Sequence, residues 1–360
     1  VEIRFLRENN VFQVNLLKFT PYFFPTFAKN IQALRLTRRP VLCNYYVTYR
    51  CNATCAFCDI WERPSPYITL ENAEKNFQDL RRLGVKVIDF TGGEPLLHRQ
   101  IVELLTLAKK YKFITTLTTN CLLYPKYAEK LRGKVDMLHF SLDSPIQAQH
   151  DKGRGVACFD FVMQSIELAK SLGEKPDILF TVFEENIHQI KQMYEEITLP
   201  NSLVLLLNPV FDYNAVETGT GLSAESLQAL RAWGRRKLVY LNQAFITLRE
   251  NGGNHIDKPV CKAGSTTIVI SPENKLVLPC YHLGLQEVPI EDNLFDLYHS
   301  VEVQRLIALE GRHEKCEGCV INCYMQPSFA VETNQYFWEA LPSTLKYNWI
   351  KGTWRKLLAP

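Results

Sequence analysis

From residue 43 onward the chain alternates two hydrophobic patterns. Short apolar runs at 44–49, 85–91, 114–119, 137–142, 178–183 and 203–207 read as strands. Between them, apolar residues recur every three or four positions at 70–83, 99–111, 124–131, 159–172 and 187–197, the period of helices that bury one face. Strand and helix in strict alternation predict an α/β fold with a parallel sheet and right-handed crossovers. Six such units make an open, partial (β/α)6 TIM-like barrel. A further helical pattern over 224–249 ends at Asn251-Gly252-Gly253-Asn254. A hairpin pattern then runs through 268–278, turning at Ser271-Pro272-Glu273-Asn274, and opens a small C-terminal α+β domain.

At the start of the chain, Phe12, Leu16, Phe19, Phe23, Phe27, Ile31 and Leu34 step by three or four. They predict amphipathic helices divided at Pro21 and Pro25. The expected divisions are therefore a helical segment at 1–39, the barrel at 40–215, a helical bridge at 216–260, the small domain at 261–330 and a C-terminal segment at 331–360.

The chain has 360 residues, 46% hydrophobic and 22% charged, which is the profile of a globular protein with a sizeable core. No apolar run approaches the roughly 20 residues needed to span a bilayer. The first residues lack the apolar stretch of a signal peptide, so a cytoplasmic protein is expected. The formal net charge is +3, which gives no reason to expect a nucleic-acid partner. That value conceals an asymmetry: residues 1–39 carry +5, residues 341–360 carry +4, and the rest carry −6. Both ends are also aromatic, with Tyr347, Trp349 and Trp354 at the finish. Two readings follow: these ends pack on the core, or they lie peripherally on an anionic membrane and admit a hydrophobic substrate.

Cysteine changes the picture most. There are 11, an odd number, in a long chain without an export signal, which points to metal binding rather than disulfides. Cys43, Cys121 and Cys158 stand alone and read as small buried hydrophobes. Cys51, Cys55 and Cys58 are spaced C-x3-C-x2-C on the loop after the first barrel strand. Three thiolates leave a tetrahedral zinc site incomplete, but they hold three corners of a [4Fe–4S] cluster and leave one iron open. Cys261 and Cys280 flank the hairpin, and Cys316, Cys319 and Cys323 follow. Four thiolates from this set complete a closed site for iron–sulfur or for zinc.

The triplet, with Phe57 before its last cysteine, and Gly92-Gly93-Glu94-Pro95 after the second strand resemble the radical SAM superfamily. The later cysteines resemble the SPASM or twitch extensions found behind many such domains. The resemblance implies an enzyme in which Cys51, Cys55 and Cys58 ligate a cluster that binds S-adenosylmethionine and cleaves it reductively to a 5′-deoxyadenosyl radical, which takes hydrogen from a substrate. It also implies an electron-transferring auxiliary [4Fe–4S] cluster on Cys261, Cys280, Cys316 and Cys319, with Cys323 as an alternative ligand, and a reducing partner such as flavodoxin or ferredoxin.

By position, Gly92, Gly93 and Glu94, with Pro95, match the turn that receives the methionine amino group. Phe57 matches the residue beside the adenine, and Ser141 and Asp143 match positions that contact ribose or carboxylate. Thr118 and Asn120, on the same rim, read either as further contacts or as rim structure. Asn186 follows the fifth strand. Tyr281, His282, His139 and Tyr324 are acid–base candidates by position alone. The expected substrate is a lipid, isoprenoid or tetrapyrrole. The alternatives are a ribosomal peptide or protein, or no substrate at all in a two-cluster electron carrier.

Overall fold

A computed structural model describes residues 3–5, 12–14, 39–211, 221–353 and 356. Strands β1 (Ile3–Phe5) and β2 (Phe12–Val14) form a small antiparallel ribbon. This corrects the helix expected through Phe12. Val1-Glu2-Ile3-Arg4-Phe5 alternates apolar and polar residues with the period of a strand, and that signal is the better guide there. The remaining steps of the proposed helical face, from Leu16 to Leu34, lie outside the described residues.

The main sheet contains β3 (Leu42–Thr48), β4 (Val87–Gly92), β5 (Ile114–Thr119), β6 (Met137–Ser141), β7 (Asp177–Val182) and β8 (Val204–Pro209), parallel and in sequence order. Its crossovers carry α1 (Leu70–Leu83), α2 (Ile101–Lys110), α3 (Tyr124–Leu131), α4 (Gln147–Arg154), α5 (Phe159–Ser171) and α6 (Ile190–Gln192), the last running into a π-helical turn. Helix α1 shows why these segments are helical. Thr69 caps its first turn by accepting from the Asn72 amide, Gly84 ends it at φ +99°, and Phe77, Leu80 and Leu83 face the sheet.

Alternation along the strands separates two environments. Tyr45, Val47, Ile88, Phe90, Leu117 and Phe140 point outward into the core shared with the helices. Their neighbours Asn44, Asp89, Thr116, Thr118, His139 and Ser141 face the inside of the barrel. That inner face is largely polar near β3 to β6.

The sheet does not stop at six strands. Beyond β8 lies β9 (Val239–Tyr240), parallel to it. The single helix expected over 224–249 is two, α7 (Ala224–Trp233) and α8 (Gln243–Glu250). Leu238, at φ +57°, and Asn242, whose side chain caps α8, interrupt it. After the short α9 (Ala263–Thr266), strand β10 (Thr267–Ile270) pairs in parallel with β3, and β11 (Lys275–Leu278) and β12 (Gln286–Pro289) continue outward. The hairpin expected to found a separate domain is thus an extension of the barrel sheet. Helices α10 (Leu294–His299), α11 (Val301–Ile307), α12 (Asn322–Ser328) and α13 (Gln335–Lys351) complete the chain.

Helix α13 closes the bottom of the barrel. Tyr347 donates to Asp177 Oδ2 at 2.5 Å, Lys351 reaches Asp177 Oδ1 at 2.9 Å, and Lys346 donates to the carbonyls of Arg236 and Val239. Three members of the basic, aromatic C-terminal segment are therefore used in packing, while Trp349 stays 54% exposed. Among the described residues, no helix is long and apolar enough to cross a membrane.

Candidate active site

The first cysteine loop is fixed from three sides. A register shift between Tyr46 and Thr48 turns the chain out of β3 towards Cys51. Gly92, at φ +129°, and Gly93 then press against it: the Gly93 amide donates to Thr48 O and the Glu94 amide to Arg50 O, both at 2.9 Å. A Cβ on Gly92 would stand 2.0 Å from Thr48 O, and one on Gly93 2.1 Å from Arg50 O. The glycines thus let the chain approach itself.

The second side is the rim of β5. Asn120 Nδ2 donates to Asn52 Oδ1 at 2.8 Å. Glu94, 2% exposed, accepts from the amides of Leu96 and Asn120 and from Thr119 Oγ1. Its carboxylate therefore braces the turn against β5, where the sequence suggested an acceptor for an ammonium group. Burial pushes its pKa up to about 7, against the pull of those hydrogen bonds. Pro95 is buried at the start of the following 3-10 turn.

The third side is the end of α4, which sequence reasoning missed because Gln147-Ala148-Gln149-His150-Asp151-Lys152-Gly153-Arg154 has no apolar period. Arg154 O and Gly153 O accept from the amides of Thr54 and Ala56 at 3.1 Å each. The Arg154 guanidinium pairs with Asp143 Oδ2 at 2.6 Å, stands 3.9 Å from Cys55 Sγ and lies over the Phe57 ring. Burial opposes its charge, but Asp143 and the thiols of Cys55 and Cys158 outweigh that, so its pKa is raised. Its Nε is buried without a partner.

Asp143 also accepts from the Thr181 amide, and Asn186 Nδ2 donates to Asp143 O. Phe57 packs across the mouth against Phe183, with ring centres 5.1 Å apart. Ser141 lies buried at the end of β6. Thr118 partners His139 at 3.3 Å. The structure thus gathers Cys51, Cys55, Cys58, Phe57, Gly92, Gly93, Glu94, Asn120 and Asp143 around one mouth, and it adds Arg154.

The second set converges as well. Cys261, Cys280, Cys316 and Cys319 line one cavity walled by Ile321, Tyr324 and Met325. Asn254, fully buried, joins their loops. Its Oδ1 accepts from the Cys261 amide, its Nδ2 donates to Gly311 O and Cys316 O, and its backbone exchanges bonds with Cys319 and Gly318. In the sequence Asn254 read only as turn chemistry. Cys323 does not line this cavity; its thiol lies 3.9 Å from His282 Nε2 and is exposed. Cys43, Cys121 and Cys158 are buried, as expected of small hydrophobes.

Among the described residues, the one trio of ligand atoms within 4.8 Å of one another is His150, Asp151 and Cys158. No three thiols of either cysteine set lie that close. Burial pushes Cys51 up to about 11 and Cys319 to about 11. Both sites therefore favour neutral thiols until a cationic centre offsets the burial.

The two sites meet at an aromatic bridge. Tyr281, the residue after Cys280, stacks on Tyr46 of β3 at 4.5 Å, and its amide donates to Tyr324 OH. His282 is 5.4 Å from Phe211 and 5.7 Å from Tyr324, centre to centre. His139 sits at the barrel floor between Thr118, Tyr347 and Asp177.

The sequence pattern of the radical SAM superfamily matches residues 45–197. The subtilosin biosynthesis protein AlbA of Bacillus subtilis is 26% identical over 279 residues, covering 73% of this chain and 59% of that protein. The AdoMet-dependent heme synthase of Nitratidesulfovibrio vulgaris is 28% identical over 155 residues, covering 41% of this chain and 42% of that protein. The chain spans about half the length of the curated relatives it matches. In fold it is similar to anSMEcpe with bound AdoMet (TM-score 0.60, 16% identity, 88% of this chain and 96% of that one). It is also similar to Streptococcus suis SuiB bound to precursor peptide SuiA (TM-score 0.58, 17% identity, 83% and 73%). With the cysteine triplet and the Gly-Gly-Glu-Pro turn at one mouth, residues 45–197 carry the radical SAM superfamily pattern.

Proposed function

We propose that the chain is a radical enzyme acting on a peptide, with Cys51, Cys55 and Cys58 holding a [4Fe–4S] cluster and Cys261, Cys280, Cys316 and Cys319 an auxiliary one. The observation that carries this reading is the polar inner face of the barrel beside both thiol sets. Asn44, Asp89, Thr116, Thr118 and His139 suit backbone amides and polar side chains better than an isoprenoid or a fatty chain. The relative AlbA, whose match runs over 279 residues, supports the same reading.

With S-adenosylmethionine bound, the first cluster supplies a carbon radical that takes hydrogen from the substrate. The chain's own residues provide the setting. Gly92 and Gly93 lock the cysteine loop against β3. Arg154, fixed by Asp143, has an unpartnered Nε that would serve to hold a carboxylate of S-adenosylmethionine. Phe57 covers the mouth beside it. The stacked rings of Tyr281 and Tyr46 stand between the mouth and the auxiliary thiols. A flavodoxin or ferredoxin supplies the reducing electron.

The test is anaerobic reconstitution, then reduction with S-adenosylmethionine. About eight irons per chain and formation of 5′-deoxyadenosine are expected. Cys55→Ala should abolish 5′-deoxyadenosine while keeping about four irons. A fully loaded wild type that forms none would make the protein an electron carrier instead.

A further inference from the structure

Among the described residues, the inner face holds a carboxylate with no cation. Four other aspartates with little exposure each have one: Asp79 with Arg82 at 2.8 Å, Asp136 with Lys109 at 2.5 Å, Asp143 with Arg154 at 2.6 Å and Asp177 with Lys351 at 2.9 Å. Asp89, in the middle of β4, has none among the described residues. It is enclosed by protein yet reached by solvent. Thr116, its register partner on β5, donates to Oδ1. Asn44 is its register partner on β3. His139, the Cys323 thiol and the Cys43 thiol are titratable groups near it, and burial lowers the pKa of His139. Burial raises the pKa of Asp89, so the group is relieved either by taking up a proton or by a cation that joins it.

Depth narrows what that is. Asp89 lies three residues before Gly92, so it sits about 10 Å below the mouth. A peptide backbone held at the mouth reaches Asp89 only with a long side chain. We propose that Asp89 reads the substrate, receiving the ammonium or guanidinium group of a lysine or arginine side chain inserted into the barrel. The proposal rests on the peptide reading above. It gives Asp89 a positioning role: the anchored side chain fixes which residue of the peptide faces the radical.

The test separates binding from chemistry. Pentapeptides Ala-Ala-X-Ala-Ala, with X lysine, arginine, norleucine or glutamate, are titrated calorimetrically into the reconstituted, unreduced protein. Lysine and arginine peptides should bind at least about tenfold tighter than norleucine, a factor worth about 1.4 kcal/mol. In Asp89→Asn, with iron content and melting midpoint confirming the fold, that ratio should fall below about threefold. Equal affinities in the wild type, or a preference that survives in Asp89→Asn, would overturn the proposal. Should Asp89→Asn not fold, Asp89→Glu serves. Its longer acid should move the preference from lysine to the shorter ornithine, and an unchanged preference for lysine would count against it. Because binding is read without reduction, failure here is distinct from failure to form 5′-deoxyadenosine, which would sink the enzyme reading itself.

Discussion

Glu94 holds the Gly92-Gly93 turn against β5 through three accepted hydrogen bonds, and burial keeps its pKa near 7. A carboxyl raised in the folded state means that the native protein binds more protons than the unfolded chain between about pH 4.5 and 7. Stability from this group is present at low pH and is lost as pH rises through that window. Between pH 5.5 and 7 the wild type should lose about 2 kcal/mol relative to Glu94→Gln, read by urea denaturation at each pH. A flat difference would contradict this. Gly93→Ala belongs to the same turn. Its Cβ meets Arg50 O at 2.1 Å, so the cysteine loop must move. A loss of about 3 kcal/mol or more, with reduced iron at the first site, is expected from denaturation and metal analysis. At this scale the sequence was legible in part. The cysteine triplet and Gly-Gly-Glu-Pro meet at one mouth. What they hid was the partner of each group: glycines facing backbone, and a carboxylate facing its own amides.

Helix α4 shows why. Its eight residues carry no apolar stripe, so periodicity passes over it, yet its end positions the cysteine loop and supplies Arg154. Only proximity in the fold joins Arg154 to Asp143 and Cys55. Arg154→Gln strands Asp143 as a buried unpaired charge, expected to cost about 3 kcal/mol. Asp143→Asn with Arg154→Gln should cost less than the two single changes added, which a double-mutant cycle measures. The second cysteine set was legible by spacing, and four of its five thiols do converge, with Cys323 outside the cavity. Its brace was not. Asn254 lies before the hairpin in a segment that reads as a plain turn, and it ties three ligand loops together. Asn254→Ala should drop iron from about eight to about four per chain, with 5′-deoxyadenosine formation partly kept.

At the scale of the molecule, the strand–helix alternation predicted the barrel and its strand order. It did not predict that β10 continues the sheet past β3, because parallel pairing between distant segments leaves no local signature. The expected boundary at residue 261 is therefore a seam inside one sheet. A chain ending at residue 215 leaves the apolar, hydrogen-bonding edge of β3 bare. It should aggregate, as light scattering would show, rather than behave as an independent barrel. The basic C-terminal segment divides similarly: Lys346, Tyr347 and Lys351 seal the barrel floor, while Trp338 and Trp349 remain on the surface.

The β3–β10 pairing also sets a timetable for biosynthesis. Leu42 and its partner Thr267 are separated by 225 residues of sequence. At translation rates of about 5–20 residues per second, the edge of β3 waits roughly 11–45 s on the ribosome for its neighbour. During that wait Cys51, Cys55 and Cys58 have already emerged beside an unfinished sheet, and their thiols stand open to oxidation or to the wrong metal. The first cysteine loop is therefore made long before the strand that completes the sheet beside it.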